Sequence, residues 1–271
     1  MNSIWKKTII TTILLFWSVA SLAVSSQADG AQRFQPQAVE KFAKQVEHKL
    51  AEQGARVFII ARVGRPAEEL PEGIHYTHTA FGVYSLITTA DGRQVPGYTI
   101  YNLYQKEGQP DKSELVTDFP VDFFSGVYEL KAGIIIPSPE LQRRLLATID
   151  SDSYKELHNP NYSAIANPYN TQLQNCTEHT LDVINAAIYK TDDIDEIKRY
   201  TQAYFEPLVV RVSPLKLLLG SIFMPDVTMA DQGDKVVTAT FTSIGDYLEK
   251  YGLVEKRFEI TADERSTQDS G

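Results

Sequence analysis

The chain has 271 residues, 43% apolar and 23% charged, the proportions of a folded protein rather than a disordered one. Its 35 acidic residues against 26 basic ones leave a net charge of −9, which excludes the basic footprint that nucleic-acid binding needs. The single cysteine, Cys176, excludes an internal disulfide.

The first residues read as an export signal. Lys6 and Lys7 precede an apolar run from Ile9 to Val19, and small residues follow, with cleavage expected after Ala23 or Ala28. Ile9–Val24 is shorter than the roughly 20 residues a membrane span requires, so no span is expected after cleavage. The chain is therefore expected to be periplasmic or secreted. One domain is expected over residues 29–260, with a flexible polar tail over 261–271.

Pro36–Gln53 carries Val39, Phe42, Val46 and Leu50 at helical spacing, and Gly54 stops it. Arg56–Val63 is β-branched and apolar, a strand. After a loop over Gly64–Gly73, His75–Thr88 and Tyr98–Tyr104 form a hairpin about the turn Ala90–Arg93. Glu107–Ser113 reads as a polar loop, and aromatic Phe119–Phe124 as a cover for one edge of a cleft. Ala132–Pro137 is a short strand, and Ser138-Pro139 opens a helix that runs to Ile149. Asp150–Asn175, rich in Asn, Ser, Tyr and Pro, is an irregular loop that delivers the chain to Cys176.

Asn175 is an N-cap, with Glu178 three residues on and Leu181, Ile184 and Ile188 in one stripe. Asp192–Phe205 is helical, Ser213-Pro214 opens a short apolar helix over Leu215–Phe223, and Val236–Phe241 is a strand. Ser243 caps Ile244–Tyr251, with Asp246 at the capping-box position and Gly252 as the stop.

This spacing places Cys176 at the first helical position, where unpaired N–H groups and the helix dipole favour a thiolate. A thiol nucleophile needs a base, and five histidines are available. His48 lies among charged residues on the first helix and His158 in the Asn/Pro loop, while His179 is aimed poorly at a sulfur three residues before it. His78 is the strongest base: strand alternation puts it on one face with Ala80 and Gly82, where glycine admits a close approach by backbone or substrate. Asn102, on the next strand among apolar neighbours, needs a buried partner, and either the His78 ring or nearby backbone can supply one.

The strand His-Thr-Ala-Phe-Gly-Val-Tyr (78–84) and the helix start Asn-Cys-Thr-Glu-His (175–179) resemble the circularly permuted NlpC/P60 (papain-like) superfamily, which includes the lecithin retinol acyltransferase-like proteins. The longer pattern of IIIPSPELQRRL, NPYNTQLQNCTEHTLDVI and TATFTSIGDYL resembles a family of exported bacterial proteins known as a domain of unknown function. The resemblance implies an α+β, permuted papain-like fold in which a helix carrying Cys at its N-terminus packs on an antiparallel sheet carrying His. It implies Cys176 as nucleophile, His78 as base and Asn102 as the third member. Cys-Thr-Glu-His is one residue longer than the Cys-Glu-His of those relatives, so His179 has no match.

The expected activity is that of a thiol hydrolase or acyltransferase on an amide or ester, with a peptide, lipid or small molecule of the cell envelope as substrate. The Cys176 N–H would meet the oxyanion, with Gln174 or Asn175. No cofactor is expected, and no metal, since Cys176, His78 and His179 have no established zinc spacing. The alternative is a non-catalytic envelope-binding module on the same scaffold, its thiol buried and inert.

Overall fold

The structure is a computed structural model in which residues 33–211 and 227–262 are described. The leader, the helix expected within 215–223 and all but the first two residues of the expected tail lie outside the described residues.

A six-stranded antiparallel sheet organises the molecule, in the order β4-β3-β2-β1-β5-β8. Its strands are β1 (Val57–Val63), β2 (His78–Thr88), β3 (Gln94–Lys106), β4 (Gln109–Asp118), β5 (Glu129–Pro137) and β8 (Val254–Thr261). Seven helices are described: α1 (Pro36–Glu52), α2 (Pro120–Phe123), α3 (Pro139–Ile149), α4 (Ser153–Glu156), α5 (Cys176–Tyr189), α6 (Ile194–Tyr204) and α7 (Phe241–Lys250). β6 (Leu208–Val209) and β7 (Val237–Thr238) pair separately.

Every residue of β1 is buried, because helices cover both faces of the sheet. On one face Phe58, Ile60, Ala80, Ile100 and Ile134 pack against α1 and against Phe123 and Phe124. On the other, Val57, Ile59, Phe81, Val83 and Ile135 pack against α3, α5, α6 and α7. Alternation along β2 thus sends His78, Ala80 and Gly82 to the α1 side and Thr79, Phe81 and Val83 to the α5 side. Gly82 admits a side chain rather than a substrate: a Cβ there would overlap the ring of Phe58, its partner across β1–β2.

Four expectations need correction. Gln109–Ser113 is the first half of β4, the last strand of the sheet, and its outer side is bridged by the loop before α5: the Ser113 N–H donates to the Pro160 carbonyl at 2.9 Å and the Tyr162 N–H to the Asp111 carbonyl at 2.8 Å. Val254–Thr261 forms the opposite edge, so Thr261, expected to open the flexible tail, ends a strand instead. Only Val237–Thr238 of the strand expected over Val236–Phe241 is extended and paired, since Phe241 already begins α7. The cap of α7 is Thr240 rather than Ser243: Thr240 Oγ1 accepts the Ser243 N–H at 3.0 Å, and Ser243 Oγ accepts the Thr240 N–H at 2.9 Å.

Candidate functional site

The β2–β3 ladder runs from Thr88–Gln94 to Phe81–Tyr101 and ends there. Beyond that point β2 continues against β1 alone and β3 against β4, so the sheet forks. Helix α5 brings its first turn to this fork.

Asn175 Oδ1 caps α5 by accepting the Glu178 N–H at 2.9 Å, and it also accepts the Thr177 hydroxyl at 2.8 Å. Cys176 follows as the first helical residue, 6% exposed, in an apolar group with Leu103 and Tyr162 and flanked by Leu115 and Ala164. Burial pushes its thiol up, and the N–H groups of Thr79, Thr177 and Cys176 with the Arg62 charge pull it back only in part. The helix start alone favours a thiolate, but the cover over the sulfur outweighs it.

His78 enters the fork from the other face of the sheet and is 1% exposed. Its ring stacks on Tyr104 with centroids 4.8 Å apart, and Phe123 lies 5.6 Å away. Nε2 is 2.9 Å from Asn102 Oδ1, while Nδ1 is buried with no hydrogen-bond partner among the described residues, the Cys176 sulfur included. Burial and then the Arg62 charge hold His78 well below the usual histidine range, against the Asn102 bond, so the ring is neutral.

Asn102 is fully buried, and its Nδ2 donates to Asp118 Oδ1 at 2.9 Å and to the Ile100 carbonyl at 3.3 Å. The other Asp118 oxygen accepts the Tyr104 hydroxyl at 3.0 Å. Burial pushes Asp118 up to about 6 against these bonds. Arg62 lies over the rings of Tyr104 and Phe123, at 5.5 and 5.0 Å, and donates to the Phe123 carbonyl.

Cys176 and His78 thus share neighbours. The backbone of Thr79, the residue after His78, lowers the Cys176 thiol, Tyr104 is stacked on the imidazole, and Arg62 acts on both groups. The sequence points to Cys176, His78 and Asn102 but not to Arg62, Tyr104 or Asp118. Asp118 ends a segment whose first half reads as loop, and in QPDKSELVTD the apolar Leu115 and Val116 are adjacent rather than alternating, so no strand signal places it.

The side chains of Gln174 and Asn175 are committed elsewhere, which removes them as oxyanion donors. Gln174 Nε2 donates to the Leu157 carbonyl and to Asp182 Oδ2, and its Oε1 accepts the Asn159 N–H. Asn175 Nδ2 donates to the Ala164 carbonyl and Thr238 Oγ1.

The other polar residues of this turn also serve the fold. His179 donates its Nε2 hydrogen to the Tyr154 carbonyl at 3.2 Å. Glu178 and Asp182 pair with the buried Lys198 of α6 at 2.7 and 2.8 Å. Ser113 Oγ lies 2.9 Å from His158 Nε2, tying β4 to the loop before α5. Among the described residues no group of three or more His, Cys, Asp or Glu side chains is placed to hold a metal ion. No described helix is long and apolar enough to cross a membrane.

A mixed α+β protein with a six-stranded antiparallel sheet, and a thiol, an imidazole and an amide gathered at a fork in it, is the class that fold and site define. Residues 49–248 match the model of a bacterial family described as "Uncharacterized protein conserved in bacteria" (DUF2145), and the chain belongs to that family. Neither a curated protein nor a solved structure matches the chain.

Proposed function

We propose that the protein is a thiol hydrolase or acyltransferase of a permuted papain-like kind, acting on an amide or ester. The observation that carries this reading is the state of His78. Asn102 accepts at Nε2, so the ring proton is there and the buried, unpartnered Nδ1 keeps its lone pair for a proton taken from a neighbour.

In this reaction Nδ1 removes the Cys176 proton as the sulfur bonds to the carbonyl carbon. The carbonyl electrons move to oxygen, which the N–H groups at the start of α5 stabilise. The intermediate collapses by breaking the bond to the leaving amine or alcohol, which takes the proton from His78. Water or another acceptor then attacks the thioester, giving its proton to His78, and the thiol is restored. Because burial keeps both groups neutral, the proton moves during attack rather than beforehand. An export signal at the N-terminus supports action in the periplasm or outside the cell, on peptides, lipids or small molecules of the envelope.

One observation favours a second reading, a non-catalytic binding module: Tyr162, Leu103 and Ala164 enclose the sulfur. Incubation of the full chain with p-nitrophenyl acetate separates the two. An acyl adduct on Cys176, seen by intact mass and absent from Cys176→Ala, supports the thiol enzyme. Ester turnover that survives Cys176→Ala, or a thiol that reacts only after unfolding, overturns it.

A further inference from the structure

We infer that Asp118 is a positioning residue of this site, fixing which way the Asn102 amide faces and thereby which His78 nitrogen carries the proton. The inference rests on the reading of His78 as the base.

A primary amide can sit in its pocket in two orientations that differ by exchange of oxygen and nitrogen. With Nδ2 turned to His78, the ring would have to accept at Nε2 and carry its hydrogen on Nδ1, leaving no lone pair there. Nothing in His78 itself forbids this, because a neutral imidazole can exchange tautomers. The decision is made on the other side of Asn102. There Nδ2 meets two acceptors, Asp118 Oδ1 at 2.9 Å and the Ile100 carbonyl at 3.3 Å. A reversed amide would put its oxygen against both. The carboxylate is the stronger of the two, since a hydrogen bond to a charged group is worth about twice a neutral one.

Asp118 is well placed for this. It pairs across β3–β4 with Ile100, so its side chain lies on the same face as Asn102 and diagonal to it. Tyr104 anchors its second oxygen at 3.0 Å while stacking on the His78 ring, so one residue braces both ends of the relay. The charged groups around Asp118 are Arg62 from β1 and Asp122 from α2. Asp118 touches neither the sulfur nor any reacting atom, and its effect passes through Asn102.

The test compares the full-length chain with Asp118→Ala and Asp118→Asn. The tautomer of His78 is read from its imidazole 15N shifts, assigned against His78→Gln, and the iodoacetamide rate of the single cysteine is measured alongside. The wild type should show protonated Nε2 and unprotonated Nδ1. Asp118→Ala should shift both nitrogens toward averaged values and slow alkylation about twofold, because about half of the population now lacks the base. Asp118→Asn should restore both readouts, since its oxygen can accept from Asn102 while its amide group turns to Tyr104. If the alanine cavity unfolds the protein, Asp118→Leu fills the space without supplying an acceptor.

An unchanged tautomer in the alanine or leucine variant overturns the inference, as does a wild type protonated at Nδ1. Failure of the proposed reaction appears elsewhere, as a missing acyl adduct on Cys176 in the wild type, and leaves the tautomer readout free to decide about Asp118.

Discussion

Asn102 Oδ1 and His78 Nε2 lie 2.9 Å apart across the fork where β2 and β3 stop pairing, so one hydrogen bond spans a gap that the backbone leaves open. Because Asn102 is fully buried and its nitrogen is committed to Asp118 and Ile100, the imidazole is held in place and in protonation state together.

This arrangement predicts an order among variants. His78→Ala should lower the rate at which p-nitrophenyl acetate acylates Cys176 by roughly 10²–10⁴-fold, the usual contribution of a positioned base. Asn102→Ala should cost less, because an unrestrained ring still visits the productive tautomer. Mass spectrometry of the adduct over time gives both rates. Equal rates in His78→Ala and the wild type would mean that the imidazole takes no proton from the thiol.

The cover over the sulfur predicts a change in the opposite direction. Tyr162 is held between two segments: its N–H donates to the Asp111 carbonyl at 2.8 Å, and residue 162 bridges to Gln174. Its side chain packs beside Cys176. Tyr162→Ala should speed iodoacetamide labelling of native protein by about tenfold, equivalent to about 1.4 kcal/mol off the opening free energy. An unchanged rate would show that reagent reaches the thiol by another route.

The ion cluster behind the first turn of α5 governs stability rather than chemistry. Burial pulls the Lys198 ammonium down, but the Asp182 and Glu178 carboxylates more than offset this and hold it at about 12, so it stays charged. Lys198→Met would leave two buried carboxylates without their cation and should cost about 3–5 kcal/mol in urea unfolding. Replacing all three members by apolar residues of similar volume should recover much of that loss. A single variant as stable as the wild type would show that the carboxylates find another partner or protonate at little cost.

The contrast between these parts explains what the sequence makes legible. The cap Asn175, the Pro139 helix start and the apolar β1 are local signals, and each appears in the fold where the pattern puts it. Asn102 on a strand beside that of His78 raises the same expectation from a buried amide, and their contact is present. Two kinds of feature are hidden. The terminal strands β4 and β8 of the sheet carry few apolar residues, so the first half of β4 reads as loop and β8 raises no strand signal. The sulfur's environment depends on Leu103 and Tyr162, more than seventy and fourteen positions away respectively, and a helix-start argument cannot see the burial they impose.

Buried histidines give the stability of the protein a pH dependence whose sign follows from the direction of their shifts. His179 is pushed down to about 3, first by burial and against its bond to the Tyr154 carbonyl. Between pH 6.5, the ordinary histidine value, and about 3, the unfolded chain binds a proton at this site that the folded chain does not. Unfolding then takes up one proton, so stability contributed at neutral pH is lost as pH falls, by about 1.4 kcal/mol per unit for this residue. Glutamine at this position can still donate to Tyr154 but cannot titrate. His179→Gln should therefore leave neutral stability within about 1 kcal/mol of the wild type and flatten the decline from pH 6 to pH 4 by one proton's worth of slope. Urea unfolding at half-unit steps of pH measures that slope in each protein. Parallel curves for the two would place a charged His179 in the folded state and contradict the burial that the structure gives it.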